Sequence, residues 1–174
     1  MMTTLKRLLF GAVRVWLGWQ WLEAGLHKVG AAAWTGENAG AAVAGFARGA
    51  IAKSVGESPV VQGWYANFLE GFVLPNSTLF GYLVAYGEVL VGIGLILGAF
   101  TGFAALAGAL MNLNFMLAGT LSSNPILYTA AFIVIAGVNY AEYYGLDTYL
   151  RPRVEHAASA GVKKLKMRFA KESA

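Results

Sequence analysis

Crossing a bilayer core takes about 20 mostly apolar residues in a helix. Four stretches of this chain qualify, at 5–29, 79–99, 102–119 and 125–144. From 89 to 141 there is no Asp, Glu, Lys or Arg. Residues that favour helix ends mark the boundaries. Asn76, Ser77 and Thr78 precede the second stretch as N-cap candidates, and Asn124 with Pro125 stands at the N-cap and first helical position of the fourth. The string "GAFTGF" leaves Thr101 and Gly102 for a tight hairpin between the second and third. The pattern predicts an all-α, integral membrane four-helix bundle.

Two segments lie outside those helices. The stretch 30–75 is too long for a turn and too polar to span; it reads as an outer-face insert of short amphipathic helices, with Trp64, Phe68, Phe72 and Leu74 on the bundle or in the interface. The tail 153–174 interleaves basic residues with Val162, Leu165, Met167 and Phe169, as a helix lying on an anionic leaflet would. Residues 1–152 form one four-span domain, with no internal repeat. Lys6 and Arg7 sit at the start and Arg151, Arg153, Lys163, Lys164, Lys166, Arg168 and Lys171 in the tail, while the loop 120–124 has no Lys or Arg. Excess Lys and Arg mark cytoplasmic ends, so both termini are expected there, in a multi-pass cell-membrane protein. The first stretch carries Gln20, Glu23 and His27 and is not expected to be a cleavable signal.

Composition agrees with this placement. Hydrophobic residues are 57% and charged residues only 13%, about half the soluble level, with a mean hydropathy of +0.56. The absence of cysteine excludes a thiolate nucleophile, a disulfide, a cysteine zinc site or an iron–sulfur cluster carried by this chain. His27 and His156 are far apart in sequence, so no metal or haem site is expected. The net charge of +4 is read as a membrane-surface signal, not a nucleic-acid one.

Ionisable groups inside a membrane are costly and face a bundle interior or a wet cavity. Helical geometry puts Trp16, Gln20, Glu23, His27 and Gly30 on one stripe of the first helix and Arg14, Trp21, Gly25 and Lys28 on the opposite one. Glu23, His27, Glu88, Asn112 and Asn114 share the outer half of the bundle; Arg14, Asn139 and Glu142 share the inner half. Arg14 either pairs with Glu142 or snorkels to the cytoplasmic face. Glu23 and His27 are either functional or an i,i+4 pair at the interface. Glu88, mid-span in "YLVAYGEVLVGIGLILGAF", is the strongest functional candidate; a partner such as His27 or Lys28 would make it structural. Gly87, Gly92, Gly94, Gly98, Gly102 and Gly108 indicate close helix packing. Trp16, Trp19 and Trp21 are core residues or a flat wall for a quinone ring.

"LGWQWLEAGLHKV", "GAIAKSVGESPVVQGWYANFLEGFVLPN", "GEVLVGIGLILGAFTGFAALAGALMNLNFMLAGTLSSNP" and "GVNYAEYYGLDTYLRP" together resemble the DoxX/DoxD membrane family, over roughly 5–152. The resemblance implies a four-helix membrane bundle in a prokaryotic cell membrane. It also implies the large subunit of a thiosulfate:quinone oxidoreductase, which takes thiosulfate to tetrathionate and passes electrons to a quinone beside a small partner subunit. Other members are linked to oxidative-stress complexes or serve as membrane partners of redox proteins. The alternative is therefore a non-catalytic accessory subunit that anchors or stabilises a respiratory complex, alone or as a homo-oligomer.

The chemistry indicates which residues to watch. Thiosulfate is a dianion and needs cationic or amide donors at a wet outer face, which Lys28, His27, Arg48 or Lys53 could supply. A quinone co-substrate (ubiquinone or menaquinone) needs an apolar slot, a donor for each carbonyl and a proton route. Glu88, Glu23 and His27 are the catalytic candidates, with Lys28, Gln20, Trp16, Asn112 and Arg14 as binding candidates.

Overall fold

A computed structural model describes residues 1–154, 156 and 159. The basic tail residues Lys163, Lys164, Lys166, Arg168 and Lys171 lie outside them. The described residues are helical and hold no strand. In chain order come α1 (Met2–Lys28), α2 (Ala41–Ala52), α3 (Gly63–Phe68), a π-helical turn over Leu69–Val73, α4 (Ser77–Leu97), α5 (Thr101–Leu117), α6 (Asn124–Ala136) and α7 (Val138–Ala141). A last helical stretch covers 147–154.

The long helices pack α1 on α4, α4 on α5 and α5 on α6, and α6 and α7 return against α1. Leu17, Trp21, Leu95, Ala105, Ala131 and Val134 form the buried centre. Many large apolar side chains point outward, among them Trp19, Leu83, Leu90, Phe103, Leu110 and Phe132. The single helix in the described residues long and apolar enough to cross a membrane is α4; α2, α5 and α6 are apolar but shorter. The segment between α1 and α4 folds over one end of the bundle. There Val43, Ala47, Val61, Tyr65 and Leu69 close on Ala118, just past α5.

Several expected local features are built differently. No side chain caps α4 at Asn76: its Nδ2 donates to Phe72 O at 2.8 Å, and Thr78 Oγ1 donates to Ala39 O at 3.0 Å, tying the insert to the helix start. Asn124 is the first residue of α6 rather than its cap, and its Nδ2 donates to Thr120 O at 3.1 Å. The expected helix over 125–144 divides at Gly137, where a Cβ would run into the Phe10 ring.

The expected pairing of Arg14 with Glu142 does not occur, nor does Arg14 snorkel. Its side chain is buried and donates from Nη1 to the carbonyls of Leu95 and, at 3.2 Å, Ile96. These carbonyls belong to the last turn of α4, where a cation is favoured. Glu142 instead takes Arg151 at 3.2 Å. The partner of the turn is Asp147, whose carboxylate accepts the N–H groups of Phe100 at 2.6 Å and Thr101 at 2.8 Å at the start of α5. Gly98, with φ +64°, makes the turn possible; a Cβ there would lie 2.5 Å from Arg14 Nη1.

Candidate functional site

The inward face of α1 is the stripe Arg14, Gly18, Trp21, Gly25, Lys28. Its first four members are buried, and Lys28 is partly so. Two glycines let α4 lie directly on it. A Cβ on Gly25 would sit 2.6 Å from Val89 N and 3.0 Å from Glu88 Cβ, and one on Gly18 would sit 2.9 Å from Ile96 N. From the other side, a Cβ on Gly92 would meet Leu22 N at 2.5 Å. Such close backbone approach is what small residues provide between apolar helices.

This seam sets Lys28 beside Glu88. Nζ donates to Oε2 at 2.6 Å, with Glu88 only 2% exposed and Lys28 19%. Nζ also donates to Ala24 O at 3.2 Å and stands 5.2 Å from the centre of the Trp34 ring. The pair, a lysine tip with a partly wet side and a carboxylate with none, borders a cavity of about 720 Å³ between α1, α4, α5 and the insert. That volume is within the roughly 300–1,000 Å³ usual for small-molecule sites.

The cavity walls are aromatic. Trp21 comes from α1, Phe46 from α2, Phe68 and Phe72 from the insert, Phe80 from α4 and Phe115 from α5. The insert is latched by Tyr65, whose hydroxyl donates to Asn114 O at 2.9 Å with Asn114 Oδ1 at 3.2 Å; burial pushes that phenol up to about 12. Lys53 Nζ adds a bond to Gly119 O at 3.3 Å. The polar lining residues are Gln20, the Lys28–Glu88 pair, Tyr65, Asn112 and Asn114, with Thr120, Ser122, Ser123 and Asn124 from the loop after α5 and the start of α6. Asn112 is fully buried, and neither Nδ2 nor Oδ1 has a partner among the described residues; the same holds for Trp21 Nε1. Orphaned buried donors and acceptors in an aromatic cavity fit a ring that carries oxygen atoms.

The structure brings together only some of the predicted residues. Glu88, Lys28, Gln20 and Asn112 border the cavity. Trp16, Glu23 and His27 are exposed on the other side of α1. Arg14 is at the turn between α4 and α5, away from the cavity. Trp21, read from sequence as either core or a flat wall for a ring, is both buried and on the cavity lining, whereas the aromatic wall of the insert was not among the predicted site residues. The signal for Trp21 was present: two glycines on its own stripe mark the face that a neighbouring backbone approaches. Nothing in the local sequence announces which face of the insert turns inward.

The family model for DoxX matches residues 9–120. The chain belongs to the DoxX family. The matched stretch runs from α1 to the loop after α5, so it contains Lys28, Glu88 and Asn112. No curated protein and no solved structure matches the chain. It is a DoxX family membrane protein, all-helical in its described residues, with a polar pair on an aromatic cavity.

Proposed function

We propose that this chain is the four-span membrane subunit of a quinone-linked oxidoreductase that takes electrons from thiosulfate. The observation that carries the reading is the aromatic cavity with Lys28–Glu88 on its wall and unpaired Asn112 within it. At 1.5 Å per residue, α1, α4 and α5 are about 40, 32 and 26 Å long, against a hydrocarbon core of about 30 Å. The outward Leu, Phe and Trp side chains suit lipid better than water.

Trp21, Asn112, Glu88 and Lys28 would hold a quinone; bound there, it accepts two electrons and two protons. Lys28 Nζ, the wetter member of the pair, exchanges protons with the outer face and hands them to Glu88 Oε2. The aromatic wall of the insert excludes bulk water from that carboxylate. Two thiosulfates joining as tetrathionate release two electrons. With no cysteine in this chain, these enter through a small partner subunit. Exposed Arg48 supplies a cationic group, and exposed His27 a ring N–H donor, for the dianion.

The accessory-subunit reading is favoured by one observation: Glu88 already has a partner at 2.6 Å. Glu88→Gln separates the two. Gln keeps the size and a donor but cannot pass a proton. In the purified complex it is expected to leave subunit yield unchanged and to lower thiosulfate-driven reduction of a short-tailed quinone at least about 100-fold. Full turnover in a stable Glu88→Gln complex overturns the catalytic reading. Loss of assembly with turnover per intact complex retained supports the accessory one.

A further inference from the structure

We infer that Asn112 is the residue that recognises a quinone ring oxygen in both the oxidised and the reduced state, and that the fold keeps its amide unpaired for that purpose. This deepens, and rests on, the quinone-linked reading above. The other asparagines in comparable positions show what Asn112 is not doing. Asn76, Asn114 and Asn124 each donate Nδ2 to the carbonyl four residues back, on Phe72, Leu110 and Thr120, at 2.8, 2.8 and 3.1 Å. Asn112 makes no such bond to Gly108. Its side chain is fully buried, and both polar atoms lack partners among the described residues. Asn114, two residues on, also receives Tyr65 on Oδ1 and is satisfied.

The surroundings make the orphan specific. Gly108 and Asn112 are one turn apart on the same face of α5. Trp21 lies across Gly108, where a Cβ would come within 2.9 Å of Nε1. That indole N–H is also buried and unpaired among the described residues. The unpaired donor and acceptor groups therefore belong to two side chains, on α1 and α5, that both line the cavity. A quinone carbonyl only accepts; after reduction the same oxygen is a hydroxyl that also donates. Asn112 can answer both, donating from Nδ2 to the carbonyl and accepting the hydroxyl on Oδ1, with no change in its own protonation. Trp21 Nε1 can only donate. The charged pair bordering the cavity sums to zero, so a dianion such as thiosulfate would enter uncompensated and is the poorer occupant.

The test is Asn112→Leu, which keeps the branched shape with somewhat larger volume and removes both polar atoms. The full chain in quinone-free nanodiscs is titrated with a decyl benzoquinone, oxidised and then reduced, and binding is read from quenching of tryptophan fluorescence. A melt is recorded on the same sample. The expected result is binding weaker by about tenfold or more for both redox forms, with a melting temperature equal to or above wild type, because an unsatisfied buried amide has gone. Wild-type binding with unchanged affinity in Asn112→Leu overturns the inference and leaves the quinone-linked reading standing. Failure of the wild type itself to bind either form overturns that reading. A loss confined to one redox form overturns the dual role. Should Asn112→Leu not fold, Asn112→Ala decides: weakened binding supports the assignment and retained binding overturns it.

Discussion

A lysine and a glutamate 2.6 Å apart are not equivalent partners when one is 19% exposed and the other 2%. If Glu88 is neutralised, Lys28 can turn its flexible stem toward the outer surface. If Lys28 is removed, Glu88 has nowhere to go, and an uncompensated buried charge costs about 3–5 kcal/mol. Lys28→Met should therefore destabilise the protein by about 3 kcal/mol, and Glu88→Gln by clearly less. The double variant should cost less than the sum, since its second change removes the stranded group. Melts of the three variants in one detergent check this; equal losses for the two single changes would show that Lys28 is as confined as Glu88. Glu88 was recognisable in the sequence because a carboxylate stands out in a run without other charges. Its partner was one of two candidates, His27 or Lys28, and three-dimensional packing chose between them. Arg14 was misread for a physical reason: its partners are backbone carbonyls, and a helix C-terminus has no residue type to announce it.

Among the elements, the contact of α1 with α4 determines whether the site exists, because Lys28 and Glu88 are on opposite sides of it. Gly25 lies against Glu88 itself, and Gly92 lies against the backbone of Leu22. Gly92→Ala should push the helices apart where the structure has no room to give, lowering the melting temperature and weakening quinone binding together. Gly45→Ala is the control: no atom lies within 4 Å of its new Cβ, and alanine favours the α2 helix by about 0.5–1 kcal/mol. It should melt at or slightly above wild type and bind as before. A Gly92→Ala protein indistinguishable from Gly45→Ala would mean that the seam is not tight. The positions of the long helices were legible because apolar runs and their breaks are a strong signal; the faces were less so. On α1 two stripes of identical spacing compete, and the one with Glu23 and His27 looks richer in chemistry. The glycines at 18 and 25 decide for the other, a criterion of packing and not of polarity. The break at Gly137 was hidden because it depends on Phe10, far away in the chain.

For the molecule as a whole, charge divides unequally between the two ends of the bundle. The start of α1, the turn between α4 and α5 and the end of α7 gather at one end. There Lys6 lies 5.6 Å from the ring centre of Tyr140, and Arg7 lies 3.5 Å from that of Tyr143. Arg151 and Arg153 follow just beyond in the chain. The insert and the loop after α5 occupy the other end, where Lys53 reaches Gly119. The proposed topology puts this basic end in the cytoplasm, because Lys and Arg are in excess on that side. The aromatic cavity then opens beneath the outer insert, so the proton route through Lys28 would serve the outer face. With no native cysteine, each introduced thiol reports alone. Ser58→Cys, on the exposed loop between α2 and α3, should react with a membrane-impermeant maleimide added to intact cells. Thr3→Cys and Ser159→Cys should react only after the membrane is permeabilised. Labelling of Thr3→Cys or Ser159→Cys in intact cells, with Ser58→Cys protected, would invert the topology. It would move the Lys28–Glu88 pair to the cytoplasmic side, and the donor groups proposed for thiosulfate with it.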